Sequence, residues 1–301
     1  MRRLDWLAIF LLVGGVLVSS LVQTETKTPD DANPRRPATI HFSPIIWGDE
    51  TKDWLRTGPT EQKSPLFADQ LPSGDSIIKD EGVQKSSVGT AFSVSPNGLW
   101  LTAKHVANGC SITAIQAAQN KYVKVHSVTL HPNADVALLQ TNDTPHPLSL
   151  AREFGKTING YNIGFPTGQP GAIHTRFIGE MSVRHTNRND RSKSYRERVN
   201  AWVEQSRIPD FKGSIGGISG GAVIGDDGSV VGIVQAGSTR RARVVTARPS
   251  TIEEMFRIAK IEFPASKPNP ADVSISKDNY PNIARNLLTS LRVAKVFCII
   301  K

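Results

Sequence analysis

Gly217-Ile218-Ser219-Gly220-Gly221-Ala222 sets a serine among glycines. A hydroxyl that attacks a carbonyl must stand on a tight turn, with backbone N–H groups converging on the oxygen that becomes negative. Flanking glycines allow that approach. Alone the string is weak, because glycine-rich turns are common and G-x-S-x-G also occurs at the strand-to-helix elbow of other hydrolases. Two further segments sharpen it. Leu101-Thr102-Ala103-Lys104-His105-Val106 places a histidine just after an apolar run, and Ala134-Asp135-Val136-Ala137-Leu138-Leu139 sets one carboxylate beside another. A core histidine or a turn aspartate explains either segment taken singly. Together they supply an alcohol, a base and a carboxylate that can orient the base and stabilise its cation.

The surrounding elements read as short strands. Val88–Val94, the turn Pro96-Asn97-Gly98 and Leu99–Thr102 form a strand, a turn and a strand. Strands are expected again around residues 122–128, 136–139, 160–165, 172–183, 199–203, 222–224, 230–234 and 243–246. Many short strands with few helices predict an all-β fold. One helix is expected at Pro249-Ser250-Thr251-Ile252-Glu253-Glu254, which has capping-box spacing, with Ile252, Met255, Phe256 and Ala259 on one face. The apolar ending Val296-Phe297-Cys298-Ile299-Ile300 is expected to dock on the body, because such side chains are costly in water.

At the quoted motifs the sequence resembles the chymotrypsin-like serine proteases, and most closely their bacterial exported branch, which includes the high-temperature-requirement proteases. The resemblance runs from about Ser87 to Lys260. It implies two perpendicular six-stranded antiparallel barrels, a C-terminal helix and an active site in the crevice between the barrels. It also implies an endopeptidase without a cofactor or metal, acting on polypeptides through an acyl-enzyme. His105, Asp135 and Ser219 would be catalytic, with the Gly217 and Ser219 amides as the oxyanion hole. Gly213 would lie at the base of the specificity pocket, and Gln235, Ala236 and Gly237 along the substrate. The order His, Asp, Ser is not that of the α/β-hydrolases, where serine comes first.

Three features depart from the family pattern. Ile218 stands where trypsin-like zymogens carry an aspartate, so activation by an N-terminal ion pair is not expected. Gly213 is not an acid, which argues against a preference for Lys or Arg. About forty residues follow the helix, too few for a further peptide-binding module. A group at Arg240, Arg241 and Arg243 would suit either an acidic substrate side chain or plain solvation. The rival reading is a catalytically silent binding protein on the same fold.

The chain's 301 residues, 39% hydrophobic, suffice for a full core. The expected segments are a signal peptide or membrane anchor over 1–22, an extension over 23–74, an N-terminal barrel over 75–150, a C-terminal barrel with its closing helix over 151–263, and a tail over 264–301. Arg2 and Arg3 precede an uncharged run from Trp6 to Val22, so the protein is expected to be exported. In a bacterium it would be periplasmic, or held to the inner membrane by a single span; anchor and cleaved signal stay open. Cys110 and Cys298 fit an oxidising compartment as a disulfide, with two separate thiols as the alternative. The net charge of +9 favours acidic partners only weakly. The basic stretch from Arg184 to Arg198 is interrupted by Asp190 and Glu197 and offers only Tyr195 for stacking, so no nucleic acid is expected. His126 and His131 read as surface histidines and not as metal ligands. Oligomeric state is open.

Overall fold

The structure, a computed structural model, describes residues 42–45, 59–61, 76–80, 86–187, 194–211, 213–238, 241–264 and 274–301. Both the apolar run at 6–22 and most of the extension lie outside the described residues. Among the described residues no helix is long and apolar enough to cross a membrane.

The chain is nearly all β, with fifteen strands and three α-helices among the described residues. Strands β1 (Thr60–Glu61) and β2 (Ser76–Asp80) come first, then β3 (Ser87–Ser95), β4 (Leu99–Thr102) and the short helix α1 (Lys104–Ala107). They are followed by β5 (Ile112–Ala118), β6 (Lys121–Lys124), β7 (Ser127–Leu130) and β8 (Ala137–Gln140). The second half holds β9 (Asn159–Gly164), β10 (Gly171–Asn187), β11 (Tyr195–Ile208), β12 (Ala222–Ile224), β13 (Val230–Ser238) and β14 (Arg243–Ala247). Helix α2 (Pro249–Ala259), helix α3 (Tyr280–Thr289) and β15 (Val293–Ile299) complete the chain.

In the second half, β11, β14, β13, β12, β9 and β10 pair in that order, and β10 returns to pair with β11, closing an antiparallel barrel of six strands. Strands β1 and β2 add at its margins. Closure removes the free edges that an open sheet must protect. Its interior holds Ile173, Trp202, Val223, Val231, Val234 and Val244. The buried Trp202 indole N–H is satisfied by Thr246 Oγ1 at 2.9 Å.

The first half forms a half-barrel sheet in the order β6-β5-β15-β3-β4-β8-β7. It has seven strands, and one of its central strands comes from the end of the chain. Strand β15 lies between β3 and β5, antiparallel to both, with Ala294 opposite Ala91 and Phe297 opposite Ala114. The apolar tail therefore docks as an integral strand. Cys298 on β15 is disulfide-bonded to Cys110, just before β5.

The central strands of this sheet are buried on both faces. Along β3, β4, β8 and β15 successive residues alternate between two cores: Ala91, Trp100, Leu139 and Ala294 face one, while Phe92, Leu101, Leu138 and Val293 face the other. The second core is shared with Tyr161, Ile163 and Ile233 of the closed barrel and with the buried faces of α2 and α3. Two-sided burial explains why these strands read as continuous apolar runs. Helix α2 buries Ile252, Met255 and Phe256 as its spacing predicts, but the capping box does not form. Pro249 begins the helix, and the Arg248 carbonyl accepts the Thr251 and Ile252 N–H groups, so Ser250 is already inside the first turn.

Candidate active site

Strand β4 ends at Thr102, and the chain turns at once into α1, which carries His105. Two hydrogen bonds tie this residue to the loop before β8. The His105 backbone N–H donates to Asp135 Oδ1 at 2.9 Å, and His105 Nδ1 lies 2.7 Å from Asp135 Oδ2. A carboxylate accepts only, so Nδ1 carries the proton and Nε2 of the neutral ring keeps its lone pair. The Asp135 side chain is 4% exposed and that of His105 40%, so the imidazole is open to solvent and its partner is not. Burial alone would push the Asp135 carboxyl up. The His105 charge and its two hydrogen bonds, with His185 assisting, outweigh burial and hold it below the usual value.

Ser219 sits on a loop clamped to both halves of the molecule. Its carbonyl accepts the Thr90 N–H of β3 at 2.9 Å, and Thr90 Oγ1 donates to the Gly217 carbonyl at 2.8 Å. Ile215 and Ile218, on either side of these glycines, are buried in the closed barrel's core. Gly220 has φ +86, and a Cβ there would lie 2.1 Å from the Thr90 carbonyl oxygen and 3.0 Å from Ala103 N, so only glycine permits this approach. Ser219 is thereby brought against the strand ends that precede His105. Among the described residues no hydrogen bond joins its hydroxyl to the His105 ring.

The peptide planes around Ser219 are fixed from their carbonyl ends. The Gly216 carbonyl accepts the Thr167 N–H, and the Ile218 carbonyl accepts the Gly221 N–H at 2.8 Å. In a trans peptide the N–H points opposite to the C=O. The Gly217 and Ser219 amides are thus aimed away from those partners, and among the described residues neither donates to a protein acceptor. Gly217 has φ +96, and a Cβ on it would lie 2.5 Å from the Phe165 carbonyl oxygen. Two oriented, unoccupied donors on either side of residue 218 are what an oxyanion requires.

The remaining sequence-predicted positions fall around this loop. Gly213, at φ +93, is exposed and open, and its carbonyl accepts from Arg207 Nη1 at 3.4 Å. The Arg207 guanidinium is buried and paired with Glu204 through Nε and Nη2. The Glu204 carboxylate is therefore already paired. Strand β13 pairs with β12 only as far as Ile233, while β14 continues beside it to Ser238. From Ala236 onward, among the described residues, β13 has a strand on one side only, and burial falls away along Ala236, Gly237 and Ser238. Gln235 is 2% exposed and its side chain points into the protein. His126 is exposed, but His131 is 3% exposed, correcting the surface reading. Burial pulls the His131 pKa down against the opposing charges of Glu254 and Glu197, and its Nδ1 accepts the Asn133 N–H at 3.1 Å. Arg240 lies outside the described residues, as do Arg188, Arg191 and Lys193.

Glu197 and His185 stand next to the His105–Asp135 pair without any motif in the sequence to mark them. Glu197 lies on β11 between the exposed Arg196 and Arg198, and the strand's period of two turns it inward, where it is 4% exposed. The Asp135 backbone N–H donates to Glu197 Oε2 at 2.9 Å, and Gln235 Nε2 donates to Glu197 Oε1 at 2.7 Å. Alternation in residues 195–199 was the available signal, and the density of charge obscured it.

Residues 89–233 match the family model of the trypsin-like peptidase domain. Similar solved structures include the active form of the Rv3671c protease from M. tuberculosis, 16% identical, covering 82% of this chain and 98% of that one with a TM-score of 0.47. Another is the MamO protease domain from Magnetospirillum magneticum, 15% identical, covering 61% and 93% with a TM-score of 0.42. A third is the HtrA-type protease AlgW with a decapeptide, 19% identical, covering 57% and 51% with a TM-score of 0.43. No curated protein matches the chain.

Proposed function

From a chain that carries a trypsin-like peptidase domain over residues 89–233, we propose a serine endopeptidase in which His105, Asp135 and Ser219 form the catalytic triad. The observation that carries this reading is the pair of hydrogen bonds from His105 to the buried Asp135. Ser219 Oγ attacks the peptide carbonyl while His105 Nε2 takes its proton. Asp135 holds the imidazole in the tautomer this needs and stabilises the cation that forms. The Gly217 and Ser219 amides receive the developing oxyanion, each worth about 3 kcal/mol in the transition state. His105 then protonates the leaving amine, and water releases the acyl group from Ser219.

An extended substrate adds to the open side of β13 through the backbone of Gln235 and Gly237, with Ala236 between them. Gly213 itself supplies no acid at the expected pocket base, and the buried Glu204 is paired with Arg207, which argues against cleavage after Lys or Arg. The Arg2-Arg3 pair with the apolar run at 6–22 supports export from the cytoplasm, with the protease secreted or held by a single span.

The test is Ser219→Ala assayed against a diverse peptide library. Hydrolysis falls by about four to six orders of magnitude in kcat while the circular dichroism spectrum is unchanged. Equal hydrolysis by variant and wild type would end the assignment. A wild-type protein that neither cleaves peptides nor reacts with a fluorophosphonate at Ser219 would point to the silent binding protein.

A further inference from the structure

We propose that Glu197 is a positioning residue for this site: a second carboxylate that locks Asp135 to the substrate-binding strand across the seam between the two halves. The inference rests on the triad reading above. Asp135 belongs to the half-barrel sheet and Glu197 to the closed barrel, 62 residues apart in the chain. Glu197 uses both oxygens, one for the Asp135 N–H and one for the Gln235 amide. Gln235 Nε2 also lies 3.4 Å from the Asp135 carbonyl oxygen, closing a small ring of contacts beneath the triad. The strand that would receive the peptide and the loop that aims the histidine are thus referred to one anchor.

A carboxylate is costly to bury, and this one is supported from several elements. His185 on β10 brings Nε2 to 3.0 Å from Glu197 Oε2, close but poorly aligned for a hydrogen bond. The His185 ring stacks on Tyr195 at 4.5 Å, and Lys104, the neighbour of His105, lies 4.8 Å over the other ring system's centroid. His131 senses the Glu197 charge from the loop after β7, where Glu254 of α2 also faces it. The groups around Glu197 are therefore Asp135 with His105 beyond it, His185, Tyr195, Lys104, His131 and Gln235. A buried acid at this seam does two things. It fixes the Asp135 backbone, and it adds negative potential behind the pair that must stabilise the His105 cation.

The decisive experiment compares wild type, Glu197→Gln and Gln235→Leu in the full chain. Glu197→Gln keeps the shape, removes the charge and one acceptor, and lowers kcat by about 10- to 100-fold with KM little changed, the range expected when a catalytic group is slightly misplaced. With a negative charge gone, the acidic limb of the kcat/KM profile moves to lower pH. Gln235→Leu keeps the charge, so it lowers kcat without moving that limb. The His105 ring titration, followed by NMR, shifts downward in Glu197→Gln and not in Gln235→Leu. This readout needs no turnover, so it separates failure of the inference from failure of the protease reading, which Ser219 labelling of wild type tests by itself. An unmoved His105 titration in Glu197→Gln, whatever happens to stability, overturns the proposal. If that variant does not fold, an unchanged kcat in Gln235→Leu overturns it instead.

Discussion

The two halves of the molecule close in different ways. The barrel of β9 to β14 is made from one continuous stretch, residues 159–247, and returns on itself through the β10–β11 pairing. The half-barrel sheet is incomplete until residues 293–299 insert β15 between β3 and β5. Yet the half completed from the end of the chain carries His105 and Asp135, and the half closed by its own strands carries Ser219. His105 and Asp135 therefore depend on a strand made last in the chain, whereas the Ser219 loop is anchored by Ile215 and Ile218 in the closed barrel's own core and touches the other half through Thr90.

Removing residues 290–301 is the severest challenge to this contrast. It strips β3 and β5 of their shared neighbour and deletes the buried Val293, Ala294, Val296 and Cys298. Peptide hydrolysis is lost, and hydrogen exchange shows β3 to β5 unprotected while β12 to β14 keep protection. Equal loss of protection in both halves would break the comparison and make the shared core the governing unit.

A smaller effect follows from replacing both Cys110 and Cys298 by Ala. The disulfide spans 188 residues, and in the chain-entropy model its removal costs up to about 5 kcal/mol. The urea midpoint of the double variant falls, with the half-barrel sheet losing protection first. Unchanged stability would mean that strand pairing alone holds β15.

The smallest effect concerns acid. The folded Asp135 carboxyl sits below its ordinary value of 3.8, so its ion-pair contribution is present above that pH and is lost as pH falls through the lower folded value. The stability difference between wild type and Asp135→Asn, measured by urea unfolding, therefore narrows below about pH 4. A difference that stays constant down to pH 2 would show that the pairing with His105 contributes nothing through charge.

The legible part of the fold was the part with local signals. The turn at Pro96-Asn97-Gly98 is required by Gly98 at φ +86, where a Cβ would lie 2.0 Å from the Thr141 carbonyl oxygen. Strands β4 and β12 lie where their apolar runs predict them. Strand β5 carries no such signal, because Ile112–Ala118 is alanine-rich and buried almost throughout, so no alternation marks it. The tail was expected to dock, but nothing local names β3 and β5 as its partners. In the site, His105, Asp135 and Ser219 stood out because glycines and strand ends frame them. Glu197 did not, because its meaning lies in where Asp135 and Gln235 come to rest.

Residue types and their order were enough to determine the all-β architecture and to single out His105, Asp135, Ser219 and the glycines around that serine as candidates, since each signal depends on neighbours in the chain. Tertiary structure alone decided which strand completes the first sheet, which acid stands behind Asp135, and that Glu204 pairs with Arg207 inside the protein. Those are contacts between segments tens to hundreds of residues apart, and burial selects them only after the whole chain has packed.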